Sequence, residues 1–384
     1  MRINIMKNIL IKTGCLAALV LILMACNDTM GDPDYRLTEV KALIEPASGK
    51  TIKLEPLPSA SVYFEWEYIE VEKGGTAVYQ IAFDKPDGDF SDPVYMVNSG
   101  NNGFNNHVTL SHKQLNKIAG MAGIFPSETG SVKWTVFSSK GTKAMKAASE
   151  NTITITRLAG FEEVPIDVYV TGEGSEGGAD LSKAQKMKAV AGGEFEVYTK
   201  LKANSPYYFT DSRSGTPRKF YTADGLVKEN GSSTVPTEGI YRITLDFNTG
   251  ASTYTLVLGI GFYFSPAGSL LFELPYKGNG IFQAKETVTF KQEGWGRDER
   301  YKFRMFVKEN GGAGEMKELE WGTLNQTDSR PTPTTAESYY YLKLLTNLTQ
   351  WDNKWKLMGD FDGVPAVYTI YLQADKPYTH SVTK

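Results

Sequence analysis

Thiols and imidazoles are scarce in this chain. Its 384 residues include two cysteines, Cys15 and Cys26, and three histidines, His107, His112 and His380. So few cysteines exclude a disulfide framework and a cysteine-rich metal site. The scattered histidines argue against a His-based catalytic or metal centre, and neither H-E-x-x-H nor G-x-S-x-G occurs. No metal or cofactor is called for. Long apolar runs are missing too: Cys15–Ala25 spans 11 residues, short of the ~20 needed to cross a bilayer. No block of basic residues supplies the electrostatic footprint of a nucleic-acid binder, so no nucleic-acid partner is expected.

What is present at the N-terminus is a leader. Arg2, Lys7 and Lys12 precede the apolar run, and residues 1–25 read as a secretory signal peptide. The run ends in Leu23-Met24-Ala25-Cys26, which resembles a bacterial lipobox and makes Cys26 the expected lipidation site, anchored in outer-membrane lipid. An ordinary signal peptide with a chance cysteine is the bland alternative. Removing the three basic residues of the signal leaves 38 Lys+Arg against 44 Asp+Glu, a formal net charge of −6. Several acyl chains would be needed for stable anchoring, since one alone binds membranes marginally. Residues 26–45 form a polar tether, with Asp28, Asp32 and Asp34 close to the cysteine. Acidic residues there resemble the signal for surface export in Bacteroidetes-type lipoproteins.

The remainder reads as all-β. From 46 to 158, Val62, Phe64, Trp66 and Tyr68 alternate with Tyr63, Glu65, Glu67 and Ile69, and Val132, Trp134 and Val136 share one face. Ser111 is placed to cap a short helix through Gln114–Ile118. About seven short strands with one small helix predict an immunoglobulin-like sandwich. Residues 159–258 and 259–384 read as two tandem β-sandwich modules. Their features recur in order: Val168–Val170 with Phe262–Phe264, Gly193–Phe195 with Gly280–Phe282, Tyr207–Phe209 with Tyr301–Phe303, and Asp246 through Leu256 with Asp360 through Ile370.

A literal G-x-G-x-x-G at Gly172, Gly174 and Gly177 follows the apolar stretch Ile166–Val170. A dinucleotide fingerprint must open an apolar crossover helix. Here the following residues, Leu181–Val190, support at most a turn or two of helix before another alternating strand, and Glu173 and Glu176 would repel a pyrophosphate. The motif reads as a loop.

At this point the chain resembles the SusE/SusF-type surface lipoproteins of polysaccharide utilisation systems. The residues that carry the resemblance are Phe64–Trp66, Tyr79–Asp84, Asp89–Pro93, Leu110–Asn116 and Val132–Trp134, then Val168–Val170 with its glycine loop, Gly193–Phe195, Tyr207–Phe209 and Tyr241–Asp246. It implies modules like starch-binding domains in a non-catalytic protein at the outer-membrane surface. It further implies a glycan ligand and a place beside a SusC/SusD-like transporter complex. One departure stands out: Gly178-Ala179-Asp180 occurs where the family would have Gly-Trp-Asp. The middle module, with Tyr207, Tyr208 and Tyr221 but no tryptophan, is therefore either a spacer or a weaker tyrosine site.

A sugar ring needs a flat aromatic for its C–H face and planar polar side chains for its hydroxyls. Trp66, Trp134 and Trp355 sit in phase with core positions. Trp295, between Gly294 and Gly296, has no periodicity, and the glycines let a loop present its indole outward. Trp321 could end a strand or face a ligand; Trp351 lies in a polar loop. The candidate glycan-binding residues are Trp295, Arg297, Arg304, Trp321, Tyr340, Trp351, Asp352 and Asn353 in the last module. A different class of function stays open, in which the chain is a structural or adhesive surface protein contacting a protein partner.

Overall fold

The computed structural model describes residues 37–384, apart from 58, 72–74, 324, 326 and 328. The signal peptide, Cys26 and the acidic tether residues therefore lie outside the described residues. The chain is all-β in character, with a single α-helix among the described residues, His112–Met121. No described helix is long and apolar enough to cross a membrane. It divides into two compact units, one of residues up to 50, 63–109 and 132–153, the other of 51–62, 110–131 and 154–384. The division does not fall at the expected boundary of 158, because the helical segment belongs to the second unit.

In the first unit, Val78–Asp84 pairs with Tyr95–Asn98 on one side and with residues 133–139 on the other. The alternation in Ser61–Trp66 is real: Phe64 and Trp66 are buried while Tyr63 is exposed. Phe64 meets the Trp134 ring edge-on at 5.2 Å, and Trp66 lies 5.8 Å from Tyr79. The edge-on Phe64–Trp134 contact adds about 1 kcal/mol to the burial of that pair. Asp84 closes the turn after its strand, its carboxylate accepting from the Lys85 and Phe90 amides at 2.8 and 2.9 Å.

In the second unit, Ser111 caps the helix reciprocally with Gln114, satisfying amides that no helical carbonyl can reach. The helix extends to Met121, beyond the predicted Gln114–Ile118. Asn116 ties it to the middle module through Asn248 O at 2.9 Å and receives the Leu158 amide at 3.1 Å.

The middle module has two faces of strands. One runs Gln185–Lys186, Tyr169–Thr171, Tyr208–Thr210, Lys219–Ala223, Leu226–Glu229; the other runs Lys188–Ala191, Glu194–Leu201, Gly239–Asp246 and the first half of Ala251–Phe264. Between them lies a core of Val168, Val170, Phe195, Phe209, Phe220, Ile243 and Phe247. The C-terminal module repeats the plan. Its first face runs Ser269–Glu273, the second half of Ala251–Phe264, Arg300–Lys308, Met316–Gly322, Lys343–Leu345. Its second face runs Tyr276–Gly278, Ile281–Thr287, Pro365–Tyr371, Thr379–Thr383. Phe262, Tyr301, Phe303, Trp355 and Tyr368 fill its core.

The repeat has one correction in its last match. Phe195 pairs with Leu245, and Phe282 pairs with Ile370. The strand holding Tyr368 thus corresponds to Gly239–Asp246 rather than to the strand holding Tyr254. Nor do the modules part at 258/259, since Ala251–Phe264 is one continuous strand with a bulge between Val257 and Gly259.

The glycine loop serves its own fold. A Cβ at Gly172, Gly174 or Gly177 would fall 2.7, 2.4 or 2.3 Å from Tyr207 Cα, Ser205 O or Lys183 O. The glycines are needed because neighbouring backbone approaches so closely. Glu176 points back into the protein and accepts from the amides of Lys200 and Asn279 at 2.5 and 2.7 Å and from the Tyr276 hydroxyl.

Candidate functional site

The most exposed tryptophan sits on a short hairpin. Lys291–Glu293 pairs with Gly296–Asp298, and Gly294-Trp295 makes the turn. Gly296, at φ +139, adopts backbone that other residues rarely enter, with open space around its Cα. The indole of Trp295 is consequently 68% exposed. The chain then dives: Asp298 and Glu299 are buried, and Arg300 opens the strand Arg300–Lys308.

Arg300 organises the surface. Its Nε donates to both oxygens of buried Asp298, at 2.8 and 3.1 Å, and a terminal nitrogen donates to Asp298 Oδ2. Held this way, the guanidinium lies 4.4 Å from the Trp351 ring centre and 5.6 Å from that of Trp295. One cation thus braces two indoles from separate loops. Trp351 is 41% exposed. Beside them, Arg297 grips Asp362 with Nε and Nη2 at 2.8 and 2.5 Å, and this contact holds the Asp362 carboxyl below its ordinary pKa. Arg330 pairs with Glu299 at 2.7 Å and donates to Arg297 O at 2.9 Å. Asp298, Glu299 and Asp362 are thus each matched by a guanidinium.

Beneath the Trp351 loop lies a buried ionic cluster. Lys302 and Glu320, both fully buried, meet at 3.0 Å. Lys302 Nζ also donates to Thr349 O, Thr349 Oγ1 and Asp352 O. Arg304 donates to Thr349 O at 2.7 Å, and the Thr349 amide donates to Glu320 at 3.1 Å. Burial lowers the Lys302 pKa, opposed by Glu320. Lys302, Arg304 and Glu320 thus all grip the backbone of Thr349–Asp352, and Gln350 adds a bond to Ser265 O at 2.9 Å.

The eight candidates separate accordingly. Trp295 and Trp351 meet around Arg300, with exposed Asp352 and half-buried Asn353 continuing the Trp351 loop, while Arg297, on the Trp295 hairpin, is engaged with Asp362. Two expectations fail on burial. Trp321 is 2% exposed and packs against Tyr198 and Tyr378 at 6.3 and 6.0 Å, so its ring cannot carry a sugar. Arg304 is 4% exposed and committed to Thr349, Glu318 and Glu320. Tyr340 is half-buried, its ring 5.3 Å from His380 and 4.9 Å from Tyr339. Sequence reasoning missed Arg300. Its signal was the alternation Asp298-x-Arg300 entering a strand.

Residues 31–137 match the family described as SusE outer membrane protein. A search among curated proteins returns no match. Among solved structures, SusF from Bacteroides thetaiotaomicron aligns at 12% identity over 90% of this chain and 77% of that one, with a TM-score of 0.27.

Proposed function

We propose that this chain, a SusE/SusF-type outer-membrane protein, binds a polysaccharide at the cell surface without cleaving it, through the platform Trp295–Arg300–Trp351. The carrying observation is the pair of exposed indoles braced by one guanidinium. Aromatic faces held rigid and open to solvent suit the apolar face of a sugar ring. Arg297, Asp352 and Asn353 border the platform and offer groups for hydroxyls, while the rest of such a site stays wet. The lipid on Cys26 would hold the protein at the membrane, beside a transporter complex that imports what is captured. Glycoside hydrolysis asks for a carboxylic acid with a raised pKa. Asp362 is held low by Arg297, so it is not such an acid.

A stacked ring contributes about 1 kcal/mol beyond burial, so Trp295→Ala and Trp351→Ala should each weaken binding about fivefold. Affinity electrophoresis in gels containing starch, fructan, mannan or host glycans measures this. A retarded wild type and faster-migrating variants support the reading. Equal mobility of variants and wild type, or no retardation on any glycan, overturns it and favours a protein-contacting role.

A further inference from the structure

Within the second unit, the middle and C-terminal modules share one strand. Residues 240–246 pair with 251–257 of Ala251–Phe264, and Arg300–Lys308 pairs with 256–264, so the two ladders overlap only at Leu256 and Val257. Twist is a soft variable of β-structure, and modules of one chain swing against each other unless further contact holds them. Four side chains of the middle module, away from that strand, supply such contact. Glu176, in the glycine loop, accepts from the Tyr276 hydroxyl and from the Asn279 amide, the latter at 2.7 Å. Glu196, 5% exposed and paired with Arg242 at 2.6 Å, accepts from the Tyr378 hydroxyl at 2.9 Å. Lys188 donates to Lys376 O at 2.7 Å. Tyr198 is buried within the C-terminal core, edge-on to Tyr378 at 5.9 Å.

We infer that Glu176, Glu196, Lys188 and Tyr198 form a lock that fixes the twist of the two modules about their shared strand, so that the C-terminal module is carried at one angle. The apolar and polar parts of the lock act differently. Tyr198 and Tyr378, one from each module, cover the Trp321 ring, and apolar contact of this kind is non-directional. Hydrogen bonds weaken steeply when their angle opens, so the three polar contacts set the angle. They are also spread out: Glu176 meets the hairpin of Tyr276–Gly278 with Ile281–Thr287, whereas Glu196 and Lys188 meet the segment 376–378 that follows Pro365–Tyr371. A rotation about the strand that preserved one of these bonds would stretch the others. The glycine loop thereby gains a role beyond its own folding, since its close backbone approaches aim Glu176 at the neighbouring module. None of this depends on what the tryptophan platform binds.

Double electron–electron resonance tests the lock. Spin labels are placed on Thr216→Cys and Glu286→Cys, exposed positions in the middle and C-terminal modules, in the full chain with Cys15→Ser and Cys26→Ser. One narrow distance distribution is expected. Glu176→Ala, Lys188→Met and Tyr378→Phe are then combined, a set that keeps every ring of the lock in place. Each lost bond to a charged group should lower the ratio of locked to swung arrangements about tenfold, so the combined variant should give a broadened or split distribution. Hydrogen exchange at 208–210 and 303–305 checks that both modules stay folded. Should the triple variant lose that protection, Glu176→Ala with Tyr378→Phe decides in its place. A distribution as narrow in the folded variant as in the parent chain, or one already broad in the parent, overturns the lock. Either result leaves the platform reading untouched.

Discussion

His380 shows how much one residue's surroundings can change its chemistry. It is 2% exposed and its ring touches Trp355 at 4.4 Å. Its Nδ1 lies 2.9 Å from Tyr340 O, which can only accept, so Nδ1 carries the proton; Nε2 then accepts from the Tyr301 hydroxyl at 2.7 Å. Both nitrogens are used by the neutral ring. Burial pushes its pKa from 6.5 down to about 3. The unfolded chain therefore takes up a proton below pH 6.5 that the folded chain refuses, and stability falls as pH drops from 6.5 toward 3. Each pH unit in that window costs up to about 1.4 kcal/mol. Chemical denaturation at pH 7 and 4.5 should show a loss from this residue of roughly 2–3 kcal/mol. His380→Gln, though less stable at pH 7, should lack that part of the pH slope. Equal slopes in variant and wild type would show that His380 titrates normally.

At the scale of elements, the strand Arg300–Lys308 explains what the sequence concealed. Tyr301, Phe303, Met305 and Val307 face the core, so period two assigns Arg300, Lys302 and Arg304 to solvent. Arg300 does meet the surface, but Lys302 and Arg304 are roofed by the loop Thr349–Asp352. Alternation reports which side of a strand a residue is on, not whether a distant loop covers that side. The same limit hid Trp321, whose neighbours Glu320 and Gly322 are buried as well; parity carries no signal where both faces are covered. Trp295 was legible because glycines flank it and no period claims it. The roof also carries a prediction. Lys302→Met leaves buried Glu320 with only the longer cationic contact to Arg304, at 3.4 Å, which should cost about 3 kcal/mol, whereas Lys302→Met with Glu320→Leu should recover part of the loss. In both variants the loop loses the bonds that Lys302 gives to Thr349 and Asp352, so Trp351 fluorescence should shift to the red and quench more readily with iodide. A native-like Trp351 signal in the double variant would mean that Arg304, Gln350 and Arg300 suffice to hold the loop.

For the second unit as a whole, the decisive feature is a strand that serves two cores. Val257 and Ile260 of Ala251–Phe264 lie in the C-terminal core, while Tyr254 and Leu256 pack against the middle one. Three of the four matches fall on corresponding strands of the two modules, because the residues that fill each sandwich recur. Their junction was not legible, since a β-bulge at Leu258 flips the strand's facing without any turn residue to mark it. The register error in the last match arose likewise: Asp-Phe precedes a strand in both modules, yet Asp246 ends a strand and Asp360 lies in a 3₁₀ turn. A shared strand transmits loss of order from one core to the other, so the two modules should melt together. Calorimetry of the full chain should show their unfolding as one transition with equal calorimetric and van't Hoff enthalpies. Hydrogen exchange should give Tyr208–Thr210 and Phe303–Met305 the same opening free energy. Inserting ten Gly/Ser residues after Leu258, which is exposed, uncouples the halves, and the transition should split in two with the amides of 259–264 exchanging faster. A wild type that already melts these modules in separate steps would mean that the strand crosses the junction without coupling what lies on either side.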